Sequence, residues 1–122
     1  MLLADTSVWV SHLRNGLPEF QKLLEEAQVL CHPYVIGELA CGQIKNRMEI
    51  LSLLKALPQA PVAEQEEVLR FIHEHHLAGE GLGWIDVHLL TSAVLSHAPL
   101  WTLDKALKKS AVKLQIAAEF IR

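Results

Sequence analysis

Short apolar runs alternate with longer amphipathic stretches along the whole chain, and few architectures accept that pattern. "MLLA" is followed by the helix-like "SVWVSHLR" and "LPEFQKLLEEA", with Gly16 and Pro18 punctuating the two. "QVLCH" reads as a second strand and "PYVIGELACGQI" as a helix with Pro33 near its first turn. "RMEILSLLKAL" is a further helix, closed by Pro58 and Pro61 around a strand-like "QAPVA". In "EQEEVLRFIHEHHL" the acids come first and the histidines last, which suits the helix dipole. A glycine-rich turn, "AGEGLG", leads into the strongly apolar helix "WIDVHLLTSAVLSH"; then come a strand, "PLWTL", a short helix, "DKALKKSA", and a closing strand, "VKLQI". Strands that alternate with helices predict an α/β fold in which a parallel sheet of four to five short strands is covered by helices on both faces.

The 122 residues, 51% of them hydrophobic, are enough for one core and too few for two ordinary domains, so residues 1–122 are expected to form a single domain. No run approaches the roughly 18 apolar residues of a membrane span, and the N-terminus carries an acid where a signal peptide would have basic residues. A cytoplasmic protein with no membrane partner is expected. Cys31 and Cys41 lie in apolar surroundings without CxxC spacing and read as free thiols. A net charge of −3 provides no general basic field, so a nucleic-acid partner would depend on a local patch.

Four acids stand out from this background. Asp5 follows "MLLA" and Asp104 follows "LWTL", which places both at the carboxyl edge of the sheet, where open α/β folds form their ligand crevice. Each equally fits a helix N-cap. Glu38 has Tyr34, Val35, Cys41 and Gly42 at its helical neighbour positions, and Asp86 has Leu82, Gly83, Leu89 and Leu90, so neither finds a cation on its own helix. Glu66, with Arg70 four residues on, shows what an ordinary surface acid looks like here. A carboxylate in apolar surroundings is costly without a cation or hydrogen bonds, although a place at a helix end would leave it in water. If the four converge, their repulsion calls for a divalent cation. Mg²⁺ and Mn²⁺ suit hard oxygen ligands, retain water, and favour hydrolysis of phosphodiesters without a covalent nucleophile.

The segments "ADTSVWV", "IGELACG", "WIDVHLLTSAV" and "LWTLDKAL" resemble, in order and spacing, the four acidic motifs of PIN-domain nucleases, and specifically of the VapC-type toxins of type II toxin–antitoxin pairs. The resemblance covers the chain from Asp5 to Asp104. It implies a three-layer α/β sandwich and an Mg²⁺- or Mn²⁺-dependent endoribonuclease in which Asp5, Glu38 and Asp86 are the core metal-binding acids and Asp104 the fourth. Thr6, Ser7 and Thr102 lie beside the acids, placed to bond them or the metal's waters, and ordinary turn or cap duty accounts for them equally. The resemblance further implies a homodimer, also assembled with a small antitoxin protein whose segment crosses the site and presents an arginine to the acids. RNA, in preference to DNA, comes from the resemblance alone.

Cations suited to RNA phosphates follow three of the motifs: Arg14, Lys45 and Arg47 after the first two, and Lys105, Lys108 and Lys109, with Lys113, after the last. A solvated helix face is the more common use of such a lysine run. Trp9, Trp84 and Trp101 each adjoin an acidic motif, as base-stacking or as core residues. "IHEHH" lacks the remaining ligands of a zinc site, and "GEGLG" lacks the lysine of a phosphate loop. The leucines of "FQKLLEEA" and "MEILSLLKAL" serve either the core or a dimer or antitoxin groove. Two other readings remain: a PIN-like module that binds RNA or protein without turnover, and a receiver or dehalogenase-type phosphatase, which would want an acid where Ser7 stands.

Overall fold

The computed structural model describes residues 1–119. The central strand β1 (Leu2–Ala4) pairs in parallel with β2 (Val29–Leu30) on one side and β3 (Leu100–Trp101) on the other. Leu3 sits opposite both Leu30 and Leu100. Every residue of β1 is buried, which is why "LLA" shows no alternation: a parallel strand covered on both faces has no wet side.

Isolated parallel bridges join Cys31 to Gln59 and Leu100 to Ala117, so chain lies along both edges of the three-stranded sheet. These bridges are what the structure forms in place of the two further strands expected from "QAPVA" and "VKLQI". Pro58 and Pro61, which donate no backbone N–H, bracket Gln59 and confine pairing there to one residue. In "VKLQI" the last helix keeps Val112 and Lys113, Gln115 turns with φ +61, and pairing with β3 is limited to the single bridge at Ala117, made by the Ile116 carbonyl and the Ala118 N–H on Leu100.

Among the described residues seven helices flank the sheet: α1 (Thr6–Asn15), α2 (Pro18–Glu25), α3 (Pro33–Cys41), α4 (Arg47–Ala56), α5 (Gln65–Glu74), α6 (Trp84–Ser96) and α7 (Lys105–Lys113). Helix α3 packs on α1 and α4, and α5 packs on α6. Helix α3 stops at Cys41, short of the "GQI" expected to continue it, because Gly42 provides its C-cap. Phe20 of α2 is fully buried and takes edge contacts from Trp9 at 4.7 Å, His12 at 5.1 Å and Trp101 at 5.6 Å, which welds α1, α2 and β3 together. Among the described residues no helix is long and apolar enough to cross a membrane.

A polar tie runs through the core behind β2. His32, directly after β2, accepts the Tyr34 N–H at Nδ1, 2.9 Å, and so carries its proton on Nε2. Nε2–H then donates to Ser92 Oγ at 3.1 Å, and Ser92 donates to the Pro61 carbonyl at 2.7 Å. Burial, helped by nearby His88, pushes the His32 imidazole down to about 4, keeping it neutral. Cys31 is buried and Cys41 exposed, and both are free thiols.

Candidate active site

Asp5 follows β1 while still paired to the sheet, its N–H donating to the Trp101 carbonyl at 3.0 Å. It then caps α1, with Oδ1 accepting from Val8 N–H at 3.2 Å and from Ser7 Oγ at 2.5 Å. Oδ2 accepts from Thr102 Oγ1 at 2.6 Å. The two hydroxyls are in turn fixed from behind: Ser7 Oγ accepts the Leu103 N–H at 2.9 Å, and Thr102 Oγ1 accepts the Asp104 N–H at 3.0 Å. With one proton each, both hydroxyls have their donor aimed at Asp5, so the 3.5 Å between Ser7 Oγ and Thr102 Oγ1 is a contact rather than a further donation.

Only 5% of Asp5 is exposed. Burial pushes its carboxyl above the ordinary range, the bonds from Ser7, Thr102 and Val8 pull it back, and the negative charge of Asp86 adds to the rise. Asp86 occupies the first turn of α6, where Oδ2 accepts the Gly83 N–H at 2.9 Å. Glu38 projects from α3, and Thr6 Oγ1, at the head of α1, donates to its Oε1 at 2.5 Å. Asp104 caps α7, its Oδ2 accepting from Leu107 N–H at 2.9 Å, and is joined to Asp5 through Thr102. Hydrogen bonds thus tie Glu38, through Thr6, and Asp104, through Thr102, to the β1–α1 junction that carries Asp5, while Asp86 acts on Asp5 through its charge. Cap duty and convergence coexist for Asp5 and Asp104.

Among the described residues no three Asp, Glu, His or Cys side chains form a ready-made ligand set. The site instead centres on a buried carboxylate, Asp5, whose charge is costly and is opposed by a group of the same sign, Asp86. A hard cation that keeps most of its water needs only one or two direct carboxylates, with further acids accepting from its waters, and this donor set fits it. Asp5 and Asp86 are the pair that such an ion would relieve.

Past Glu38 opens a cleft of about 610 Å³ whose wall includes Thr6, Arg14, Lys45 and Asn46, so two of the expected phosphate-binding cations share a space with an acid of the site. Gln43 and Asn46 of this wall were not singled out in the sequence, and Gly42, which ends α3 and begins the loop that carries them, was the available signal. Arg47 is used differently. Its guanidinium donates to the carbonyls of Ala40 and, at 3.1 Å, Gly42, closing the end of α3. Lys105, Lys108 and Lys109 are exposed on α7, and Lys108 borders a separate cavity of about 280 Å³ beside Trp101, Thr102 and Leu103. Lys113 pairs with Glu80 at 3.9 Å. A third, apolar groove of about 380 Å³ lies between α1, α2 and α4, lined by Trp9, Leu24, Ile50, Leu53 and Leu57.

The family model of the PIN domain matches residues 2–113. The chain is also similar to Ribonuclease VapC32 of Mycobacterium tuberculosis, strains CDC 1551 / Oshkosh and ATCC 25618 / H37Rv, at 46% identity over 118 residues that cover 96% of this chain and 95% of each relative.

Proposed function

The chain belongs to the PIN domain family, and from that premise we propose that it is a VapC-type toxin, an endoribonuclease that hydrolyses RNA phosphodiester bonds at the Asp5 centre. The observation that carries this reading is Asp5 itself, a buried carboxylate fixed by Ser7 and Thr102, with Asp86 acting on it and Glu38 tethered next to it through Thr6. In this proposal Asp5 and Asp86 hold Mg²⁺ or Mn²⁺, Glu38 and Asp104 complete the acidic set, and the ion supplies the charge that polarises a phosphoryl oxygen and lowers the pKa of water.

The chain's own residues divide the remaining work. Ser7 and Thr102 direct both oxygens of Asp5 and keep it from turning toward solvent. Glu38, exposed and bonded at one oxygen, is free to take a proton at the other. Arg14 and Lys45 hold the strand's phosphates along the cleft beyond Glu38. The groove between α1, α2 and α4 suits an apolar helix of a cognate antitoxin, in keeping with the pairing that defines this toxin type.

The test is cleavage of RNA by the purified chain in Mg²⁺ or Mn²⁺, against EDTA and against Asp5→Asn and Asp86→Asn. The expected result is metal-dependent cleavage that both substitutions abolish. Cleavage that survives both overturns the mechanism, and RNA binding without any cleavage by the wild type replaces it with a non-catalytic module.

A further inference from the structure

The three tryptophans beside the acidic motifs have different surroundings. Trp9 is 5% exposed and packs on Phe20, as does the half-buried Trp101. Trp84 is 43% exposed. It is the first residue of α6, next to Gly83, whose N–H holds Asp86, and two residues ahead of Asp86 itself. With 43% of its surface in water, the indole is only partly accounted for by packing.

Its orientation is nevertheless well defined. One turn along the helix, the His88 ring meets the Trp84 ring at 4.8 Å and 87°. His88 is 2% exposed and takes Tyr34 at 4.7 Å, while Tyr34 meets the buried His32 at 5.1 Å. Trp84 is thus the solvent end of a ladder of four rings whose inner end is bonded into the core through Ser92. Tyr34 lies one helical turn before Glu38, so the ladder's two middle rungs also bridge the helices that bear Glu38 and Asp86. The result is a part-exposed indole, oriented by ring contacts, on the helix that bears Asp86 and linked through Tyr34 to the helix that bears Glu38.

An acidic centre repels the phosphates of the strand it is meant to cut, and the chain's net charge of −3 does not offset this. A contact that adds affinity without adding charge is the needed complement. Stacking on an indole does this for any base, provided the base is unpaired and turned out from its neighbours. We propose that Trp84 is a stacking platform for an unpaired nucleobase of the substrate strand, beside the phosphate that the acidic centre takes. This inference rests on the ribonuclease reading above.

The test is binding of a short single-stranded RNA in Ca²⁺ at fixed ionic strength, followed by tryptophan fluorescence and by electrophoretic shift, for the wild type, Trp84→Phe and Trp84→Leu, with a single abasic position walked along the RNA. Stacking on one base is worth roughly 1–3 kcal/mol, which predicts an affinity about 5- to 150-fold weaker for Trp84→Leu. Trp84→Phe should keep most of the affinity but lose the fluorescence quenching, and one abasic position harmful to the wild type should be neutral in Trp84→Leu. Urea unfolding of both variants separates a lost contact from a lost fold, and quenching that persists in a folded Trp84→Phe overturns the proposal. So does wild-type affinity in Trp84→Leu, including the case where that variant instead loses self-association or antitoxin binding. A wild-type chain that binds no RNA overturns the ribonuclease reading and this inference together.

Discussion

Thr102 Oγ1 donates to Asp5 Oδ2 at 2.6 Å across 97 positions of sequence, so the end of β3 fixes the carboxylate delivered by β1. The same oxygen accepts the Asp104 N–H, and no isosteric residue without a hydroxyl can do both. Thr102→Val should lower unfolding free energy by about 1–3 kcal/mol, since the buried Asp5 carboxylate and the part-buried Asp104 N–H each lose a partner, while Thr102→Ser keeps both bonds. Urea denaturation and RNA cleavage are the measurements: Val loses stability and most of the activity, and Ser retains most of each.

Asp5 carries a cost in the folded chain. Because burial raises its carboxyl above the unfolded value of 3.8, the native state holds a proton that the unfolded chain has already released. Its contribution to stability is therefore fully present below pH 3.8 and is lost as pH rises through the raised native value. At pH 8 in EDTA, Asp5→Asn should melt no lower than the wild type while cleaving no RNA in Mg²⁺. A variant that melts far below the wild type would show that the carboxylate serves mainly to hold the fold.

His32 works in the opposite sense. Its imidazole titrates near 4 in the native state against about 6.5 when unfolded, so the neutral ring's stability is fully present above pH 6.5 and is lost as pH falls toward 4. Protonation would place an N–H at Nδ1 against the Tyr34 N–H, and His88, also lowered by burial, acts in the same direction. Unfolding free energy should fall by on the order of 3 kcal/mol across that window. His32→Asn, which keeps an acceptor for the cap of α3 but does not titrate, should flatten the slope.

The central strand was legible, and the four acids could be singled out as candidates, because their signals are local. "LLA" is uniformly apolar and ends at a cap residue, and Glu38 and Asp86 lack a cation at any helical neighbour position. What was not legible depends on partners far along the chain. Nothing near Thr102 announces Asp5, and nothing in "TSAV" announces that Ser92 bonds His32, 60 residues away. "VKLQI" carries an apolar pattern that fits a strand, yet α7 has no breaker before Lys113 and takes its first two residues. Arg47 looked like one more surface cation, and only the fold brings the carbonyls of Ala40 and Gly42 to its guanidinium.

The loop before α6 sets where Asp86 stands, and Gly81 is its sensitive point. At φ +78 this residue occupies the left-handed region, but an added Cβ would lie 3.6 Å from the Ala106 Cβ, an ordinary contact. Backbone strain, rather than a clash, is then the cost of Gly81→Ala, about 1–2 kcal/mol. The expected result is a lower melting temperature with the fold retained, and a reduced rate of cleavage as the Gly83 N–H shifts from Asp86. Gly37, inside α3 at an ordinary helical φ with open space around its Cβ, is the control: Gly37→Ala should stabilise by up to about 1 kcal/mol.

Metal binding should be visible without substrate, as a gain in stability. An ion that binds only the native state adds free energy as its concentration exceeds its dissociation constant, about 2.7 kcal/mol at a hundredfold excess, which moves the melting temperature by several degrees. The acids will not share this effect equally. Asp86 is the acid whose charge raises the Asp5 carboxyl, whereas Asp104 is exposed and linked to Asp5 through Thr102. Titration of Mn²⁺ followed by thermal unfolding should therefore stabilise the wild type, stabilise Asp104→Asn to a lesser but clear extent, and leave Asp86→Asn nearly unmoved. Equal shifts in wild type and Asp86→Asn would place the ion away from the Asp5–Asp86 pair and remove the basis for assigning it to the hydrolytic centre.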